Sequence, residues 1–228
     1  MTLHTHGRHT DVVVFDTETT GLYALGRNGE APDRICSLAA IHLHLEGDTW
    51  STVSQRTSLF NPGRRIAPDA ARVNGFFWSE DPNEPVPAGM TDLRMQPTFA
   101  SKAAIVSDFM QGKLKVAHNA NFDLSFLDQE LHAAGLPMLD GRYACTRQSM
   151  AEAIGKGRDN KFASGTRLDD MCNYLSISRT GRLGGHGALI DTRLCAQGYM
   201  EFEALGLTFP RDINELEHRC APVSLLHL

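Results

Sequence analysis

The 228-residue chain has no apolar run approaching the roughly 20 residues that a membrane-spanning helix requires, so a membrane-embedded protein is not expected. Met1 to Thr10 is polar and contains histidine, where a secretory signal would carry an apolar stretch, so export is not expected either. Five cysteines (Cys36, Cys145, Cys172, Cys195 and Cys220) are odd in number, widely separated and form no Cys-x-x-Cys pair. They suggest neither a disulfide framework nor a zinc ribbon, and a reducing, cytoplasmic compartment is the default expectation. The histidines offer no His-x-x-x-His or His-Glu pair of metal-ligand spacing, which argues against a zinc hydrolase. Positive charge is also short: the net charge of −5 argues against a protein that grips nucleic acid mainly by global electrostatics. An acidic metal site would account for part of that deficit, because bound cations neutralise it in function. Arg64, Arg65, Arg179 and Arg182 remain local candidates for holding phosphates.

What is present is an ordinary globular composition, 42% hydrophobic and 21% charged, with no shift or low-complexity stretch to mark a second domain. The expectation is one domain over 11–206, a polar tail before it, and a tail over 207–228 that packs on the domain or binds a partner. Asp11-Val12-Val13-Val14-Phe15-Asp16 reads as a strand buried on both faces. Ile35 to Leu45 and Trp50 to Phe60 follow as strands joined across Glu46-Gly47-Asp48, giving an antiparallel meander. A short helix is predicted over Pro68 to Val73, then a long Pro-containing loop to Gln96. Helix 98–110, strand 115–118, helix 121–134 with Asn121 as N-cap, strand 143–146, and helices 148–154, 167–175 (Thr166 as cap) and 188–205 complete an α/β domain with a mixed sheet.

Four acidic residues occupy positions that ordinary packing does not explain. Asp16 and Glu18 end the buried first strand, and residues two apart on extended chain face the same side. Asp123 sits in the first turn of its helix, where the dipole favours a carboxylate, yet Phe126 and Leu127 place it beside the apolar face. Asp191, Leu194, Cys195, Gly198, Tyr199 and Phe202 form a core-facing stripe whose first member is charged. A carboxylate buried there needs a cation, a proton or a metal. His186 lies five residues earlier within Gly184-Gly185-His186-Gly187, a glycine density that places the imidazole on a loop at the helix entrance.

The segments Val14-Phe15-Asp16-Thr17-Glu18-Thr19-Thr20-Gly21-Leu22, His118-Asn119-Ala120-Asn121-Phe122-Asp123 and His186-Gly187-Ala188-Leu189-Ile190-Asp191 resemble, in order and spacing, the three motifs of the DEDD exonuclease superfamily. The histidine five residues before the last aspartate resembles the histidine subclass; the tyrosine subclass would place Tyr where Gly187 stands. Within that subclass the sequence is similar to the epsilon proofreading subunits of bacterial DNA polymerase III, extending to Ile66–Gly75 and Pro97-Thr98-Phe99. Asn74-Gly75 replaces the His-Gly pair usual in that family, and Tyr23 to Asp33 is expanded.

The resemblance implies a ribonuclease H-like fold, with a central mixed five-stranded sheet flanked by helices. It implies a 3′-5′ exonuclease that releases 5′ mononucleotides from single-stranded 3′ ends, DNA in a proofreading or repair role. The implied cofactors are two Mg²⁺ or Mn²⁺ ions, with Asp16, Glu18, Asp123 and Asp191 as ligands and His186 as proton acceptor. Substrate contacts are implied for Thr19, Thr20, Gly21, Leu22, Asp69, Asn74, Asn119 and Phe122, and a DNA polymerase subunit is an implied partner. Two alternatives stand beside this reading: an RNA-trimming exonuclease resembling ribonuclease T or oligoribonuclease, and a non-catalytic subunit that docks on a polymerase.

Overall fold

The computed structural model describes residues 8–160, 163–180 and 187–216. Its elements, in chain order, are β1 (Asp11–Thr19), β2 (Ile35–Glu46), β3 (Thr49–Leu59), α1 (Pro68–Asn74), β4 (Phe76–Phe77), β5 (Thr91–Asp92), α2 (Ala103–Met110), β6 (Leu114–Ala117), α3 (Ala120–Ala133), β7 (Arg142–Cys145), α4 (Thr146–Ala153), α5 (Leu168–Tyr174), α6 (Ala188–Ala204) and β8 (Arg211–Asp212). The main sheet runs β3-β2-β1-β6-β7-β8. β1, β2 and β3 form the expected antiparallel meander, and β6 and β7 continue from β1 in parallel.

β1 is central because Val12, Val13, Val14 and Phe15 give it apolar side chains on both faces. Val13 and Phe15 face one core with Leu124, Leu127 and Leu131 of α3, while Val12 and Val14 face the other with Leu194, Tyr199 and Phe202 of α6. All four β1 side chains are fully buried. A strand covered on both faces carries ligand chemistry at its C-terminal end, where the parallel strands of an open sheet leave a crevice. The three parallel strands β1, β6 and β7 all end at that edge.

Three expectations are corrected. The sheet has a sixth strand, because Arg211 and Asp212 pair antiparallel with Tyr143 and Arg142. Two residues carry no periodicity, so β8 is defined only by the edge of β7 that it covers. Secondly, α3 begins at Ala120 and its N-cap is Asn119, in the left-handed region at φ 79°, so Asn121 lies inside the first turn. Likewise Arg167, not Thr166, caps α5; Thr166 instead donates its hydroxyl to the Ala163 carbonyl at 2.7 Å.

The long loop after α1 is a built structure. β4 and β5 pair in parallel, and Arg94 is clamped to Asp92 at 2.8 Å while donating to the carbonyls of Asp81, Pro82 and Glu84. Beyond α6, Ile213 and Leu216 are buried in the same core as Phe15, so the described part of the tail packs on the domain. Among the described residues no helix is long and apolar enough to cross a membrane.

Candidate metal centre and substrate cleft

Three of the four carboxylates converge. Asp16 and Glu18 project from the end of β1 on the side facing α6, and Asp191 is the fourth residue of α6, which packs across β1 and β2. Their ligand oxygens all lie within 4.8 Å of one another, and Asp191 is 6% exposed. Two carboxylates at that separation repel by about 3 kcal/mol at an effective dielectric near 20. The arrangement therefore calls for a divalent cation, and a donor set made entirely of carboxylate oxygen fits a hard ion such as Mg²⁺ or Mn²⁺.

Asp123 is positioned differently. It is the fourth residue of α3 and is 3% exposed, as its place beside Phe126 and Leu127 predicts. It stands outside the group of three mutually close carboxylates. Its Oδ1 accepts from the backbone N–H of Thr17 at 3.0 Å and from the Thr17 hydroxyl at 2.7 Å. Thr17 is the residue between Asp16 and Glu18, and strand alternation turns its side chain to the α3 face while theirs turn to the α6 face. The fourth carboxylate is thus tied to the same two-residue stretch from the opposite side of the sheet. Burial pushes its carboxyl up to about 7, partly offset by the two Thr17 hydrogen bonds. Thr17 escaped the sequence reading because a threonine facing away from its acidic neighbours gives no signal in a single sequence.

His186 and Arg182 lie outside the described residues.

Beside the carboxylates opens a cavity of about 520 Å³ lined by Glu18, Thr19, Gly21, Leu22, Asp69, Asn74 and Phe122, among others. Six of the eight sequence-predicted substrate residues therefore share one wall. Leu22 is 71% exposed, and Phe122 is half-buried against Phe126 with ring centroids 4.9 Å apart. At Gly21 a Cβ would stand 2.3 Å from the Asp33 carboxylate, so any larger residue has to displace that carboxylate where the chain turns away from β1. Asn74 donates to the Thr19 carbonyl at 3.1 Å, tying α1 to the end of β1. Asp69 is exposed and lies 3.6 Å from Arg72.

The other two residues are placed elsewhere. Thr20 is fully buried and its hydroxyl donates to Asp33 at 2.9 Å, which fixes the expanded loop rather than the cleft surface. Asn119 does not line this cavity; it lines a second one bounded by the ends of β7 and α4. Of the arginines expected to meet phosphates, Arg64 lines the cavity beside the carboxylates, and the three described ones also have partners within the domain. Arg64 donates to the Ala31 carbonyl at 2.6 Å and lies near Asp33, Arg65 pairs with Glu84 at 3.3 Å, and Arg179 pairs with Asp169 at 3.4 Å. A half-buried ion pair between Arg34 and Glu130, at 2.6 Å, anchors the loop to α3 and was likewise silent in the sequence.

With this geometry in place, comparison with known proteins gives consistent findings. A family profile described as "Exonuclease" matches residues 88–199, which include Asp123 and Asp191. The chain is 32% identical over 193 residues to a DNA polymerase III subunit epsilon of Treponema pallidum, covering 83% of this chain and 74% of that protein. It is 29% identical over 214 residues to the subunit of that name from Pasteurella multocida, covering 91% and 74%. Among solved structures, the nuclease domain of 3′hExo, a DEDDh family member bound to rAMP, superposes with a TM-score of 0.63 at 16% identity, covering 87% of this chain and 94% of that one. Exonuclease X in complex with 5′ overhanging duplex DNA gives a TM-score of 0.54 at 18% identity, covering 85% and 92%. At such identity these two likenesses are of fold, and they bear out the ribonuclease H-like expectation.

Proposed function

The chain belongs to the exonuclease family that includes the epsilon subunits of DNA polymerase III, a family of metal-dependent 3′-5′ exonucleases, and from that premise we propose that its substrate is the unpaired 3′ end of a DNA strand. The observation that carries the reading is the meeting of Asp16, Glu18 and Asp191 oxygens within 4.8 Å at the end of a central strand, with Asp123 bonded to the residue between the first two.

In this reading Asp16, Glu18 and Asp191 would hold one Mg²⁺ or Mn²⁺, and Asp123 would help hold a second. When bound, the two ions supply charge compensation to the attacking and leaving oxygens at the scissile phosphorus. The protein's own part is positioning. Thr17 fixes the Asp123 carboxylate through two hydrogen bonds, so the ligand enters with little orientational freedom left to lose. Gly21 lets the backbone approach the terminal nucleotide, and Leu22 and Phe122 offer apolar faces for its base, a contact that tolerates any sequence. His186 would accept the proton of the attacking water, the general-base role to which imidazole is suited. The product is a 5′ mononucleotide and a strand one residue shorter.

The nuclease unit in this reading spans 11–206, works in the cytoplasm and docks on a DNA polymerase. The test is digestion of 5′-labelled single strands of one sequence, as DNA and as RNA, with Mg²⁺ or Mn²⁺ and with EDTA. A metal-dependent ladder shortening from the 3′ end of the DNA strand is expected. Preference for the RNA strand would transfer the activity to RNA trimming, and no digestion of either would leave a docking subunit.

A further inference from the structure

The second cavity, to which Asn119 was traced, is built for an anion. Its volume is about 130 Å³, well below the roughly 300 to 1,000 Å³ of sites that enclose a drug-sized ligand. It therefore suits one compact group. Three arginines line it, Arg147, Arg158 and Arg211, against one acidic residue, Glu215. In a chain of net charge −5 such a concentration of positive charge is local construction, not average composition.

The three arginines are not equally spent. Arg211 pairs with Asp159, and Arg158 lies 3.9 Å from the same carboxylate while stacking over Phe209 at 4.9 Å. Arg147 has only neutral oxygen partners among the described residues: Thr166 Oγ1 at 3.1 Å and Asn119 Oδ1 at 3.5 Å. Its charge is held in place without being neutralised. Gln148 adds a second signal. Its amide oxygen is buried with no hydrogen-bond partner among the described residues, and the residue lines the cavity, so this side chain has hydrogen-bonding capacity left to offer there. The N-cap residues of α3 and α4, Asn119 and Cys145, also line the cavity, and neither helix has a side-chain cap, so both positive helix ends face it.

Topology says which anion. β6 runs parallel to β1 and β7 parallel to β6, with Ala117 level with Cys145, so the cavity opens at the same sheet edge as Asp16 and Glu18. Two strand spacings of ~4.8 Å put it about 10 Å along that edge. We propose that this pocket holds a backbone phosphate of the strand being digested, inward of the terminal nucleotide, and so keeps a shortening strand in register with the carboxylates. The identity of the ligand rests on the exonuclease reading; the anion chemistry of the pocket does not.

The test uses the full-length protein in EDTA, so that binding is read without turnover. Affinities for a dinucleotide and a ten-nucleotide DNA strand are measured over a series of salt concentrations, for the parent, Arg158→Gln and Arg147→Gln, with melting temperatures to verify folding. Arg158 is exposed, so that variant folds even where loss of the Arg147 hydrogen bonds costs stability. The expected result is about tenfold weaker binding of the longer strand, with the salt slope reduced by ~0.7 for one lost phosphate contact, and dinucleotide binding unchanged. An unchanged ten-nucleotide affinity and slope overturns the proposal, as does an equal loss on the dinucleotide. Inorganic phosphate displacing the long strand better than chloride, yet binding far more weakly than the strand, supports a strand-phosphate site; displacement no better than chloride overturns the anion pocket. Phosphate alone binding as tightly as the strand would make this a free-anion site and overturn the strand assignment. Metal-dependent digestion of the dinucleotide by the same preparations reports separately on the exonuclease reading.

Discussion

Replacing Asp123 by asparagine should stabilise the metal-free protein at alkaline pH while removing its activity. Asp123 is 3% exposed and its carboxyl is raised from 3.8 to about 7, chiefly by burial. Between pH ~4 and ~7 the folded state therefore holds a proton that the unfolded chain has released. The stability tied to that proton is fully present below pH ~4 and is lost as pH rises through 7. Three units at 1.36 kcal/mol each give an order of magnitude of about 4 kcal/mol. Asparagine keeps an oxygen to accept from Thr17, which now donates both its N–H and its hydroxyl there, and never ionises. In EDTA at pH 8 the variant should melt on the order of 10 °C higher than the parent, and at pH 4 the two should nearly coincide. Adding Mn²⁺ should raise the parent more than the variant, because a bound cation compensates the charge that burial penalises. Thermal melts at pH 4, 6 and 8, with and without Mn²⁺, supply the data. A gap between the two proteins that does not grow with pH, or a variant less stable at pH 8, would refute the assignment of a costly buried carboxylate here.

Asp16→Asn should abolish digestion of a single strand with the metal-free melting temperature retained or raised; ordinary turnover would remove Asp16 from the site. His186→Ala should slow hydrolysis at neutral pH by ~10² or more while strand binding in EDTA survives, and an unchanged rate would leave His186 a bystander. Gly21→Ala would set a methyl 2.3 Å from Asp33. Moving that carboxylate should cost about 1 to 3 kcal/mol and raise KM by displacing the Thr19–Leu22 turn, which calorimetry and steady-state kinetics would both detect.

The parts of the architecture that follow from patterning could be read from the residues alone. An unbroken apolar stretch required β1 to be covered on both faces, and the pairs Asp123 with Phe126 and Asp191 with Leu194 and Cys195 required two carboxylates to turn inward. Strand alternation put Asp16 and Glu18 on one side and one helix stripe turned Asp191 inward, but that the three meet was implied only by the resemblance to the exonuclease motifs. What stayed hidden depends on partners distant in sequence. Thr17 matters because α3 crosses beneath it, β8 exists because β7 has an open edge, and Glu130 matters because Arg34 returns to meet it. The start of α3 was misplaced because Asn119 takes a left-handed conformation instead of offering its side chain as a cap, which carried Asn119 away from the cleft and into the arginine pocket. The partners of Arg64, Arg65 and Arg179 were equally silent, because positive charge near a site does not say which groups of the fold it meets.

The central claim is that four distant acids form a divalent-metal centre. Anomalous diffraction from crystals soaked in Mn²⁺ tests it most directly. Two peaks roughly 4 Å apart are predicted, one among Asp16, Glu18 and Asp191 and the other beside Asp123. Absence of any peak at these carboxylates, with Mn²⁺ bound elsewhere on the protein, would contradict it.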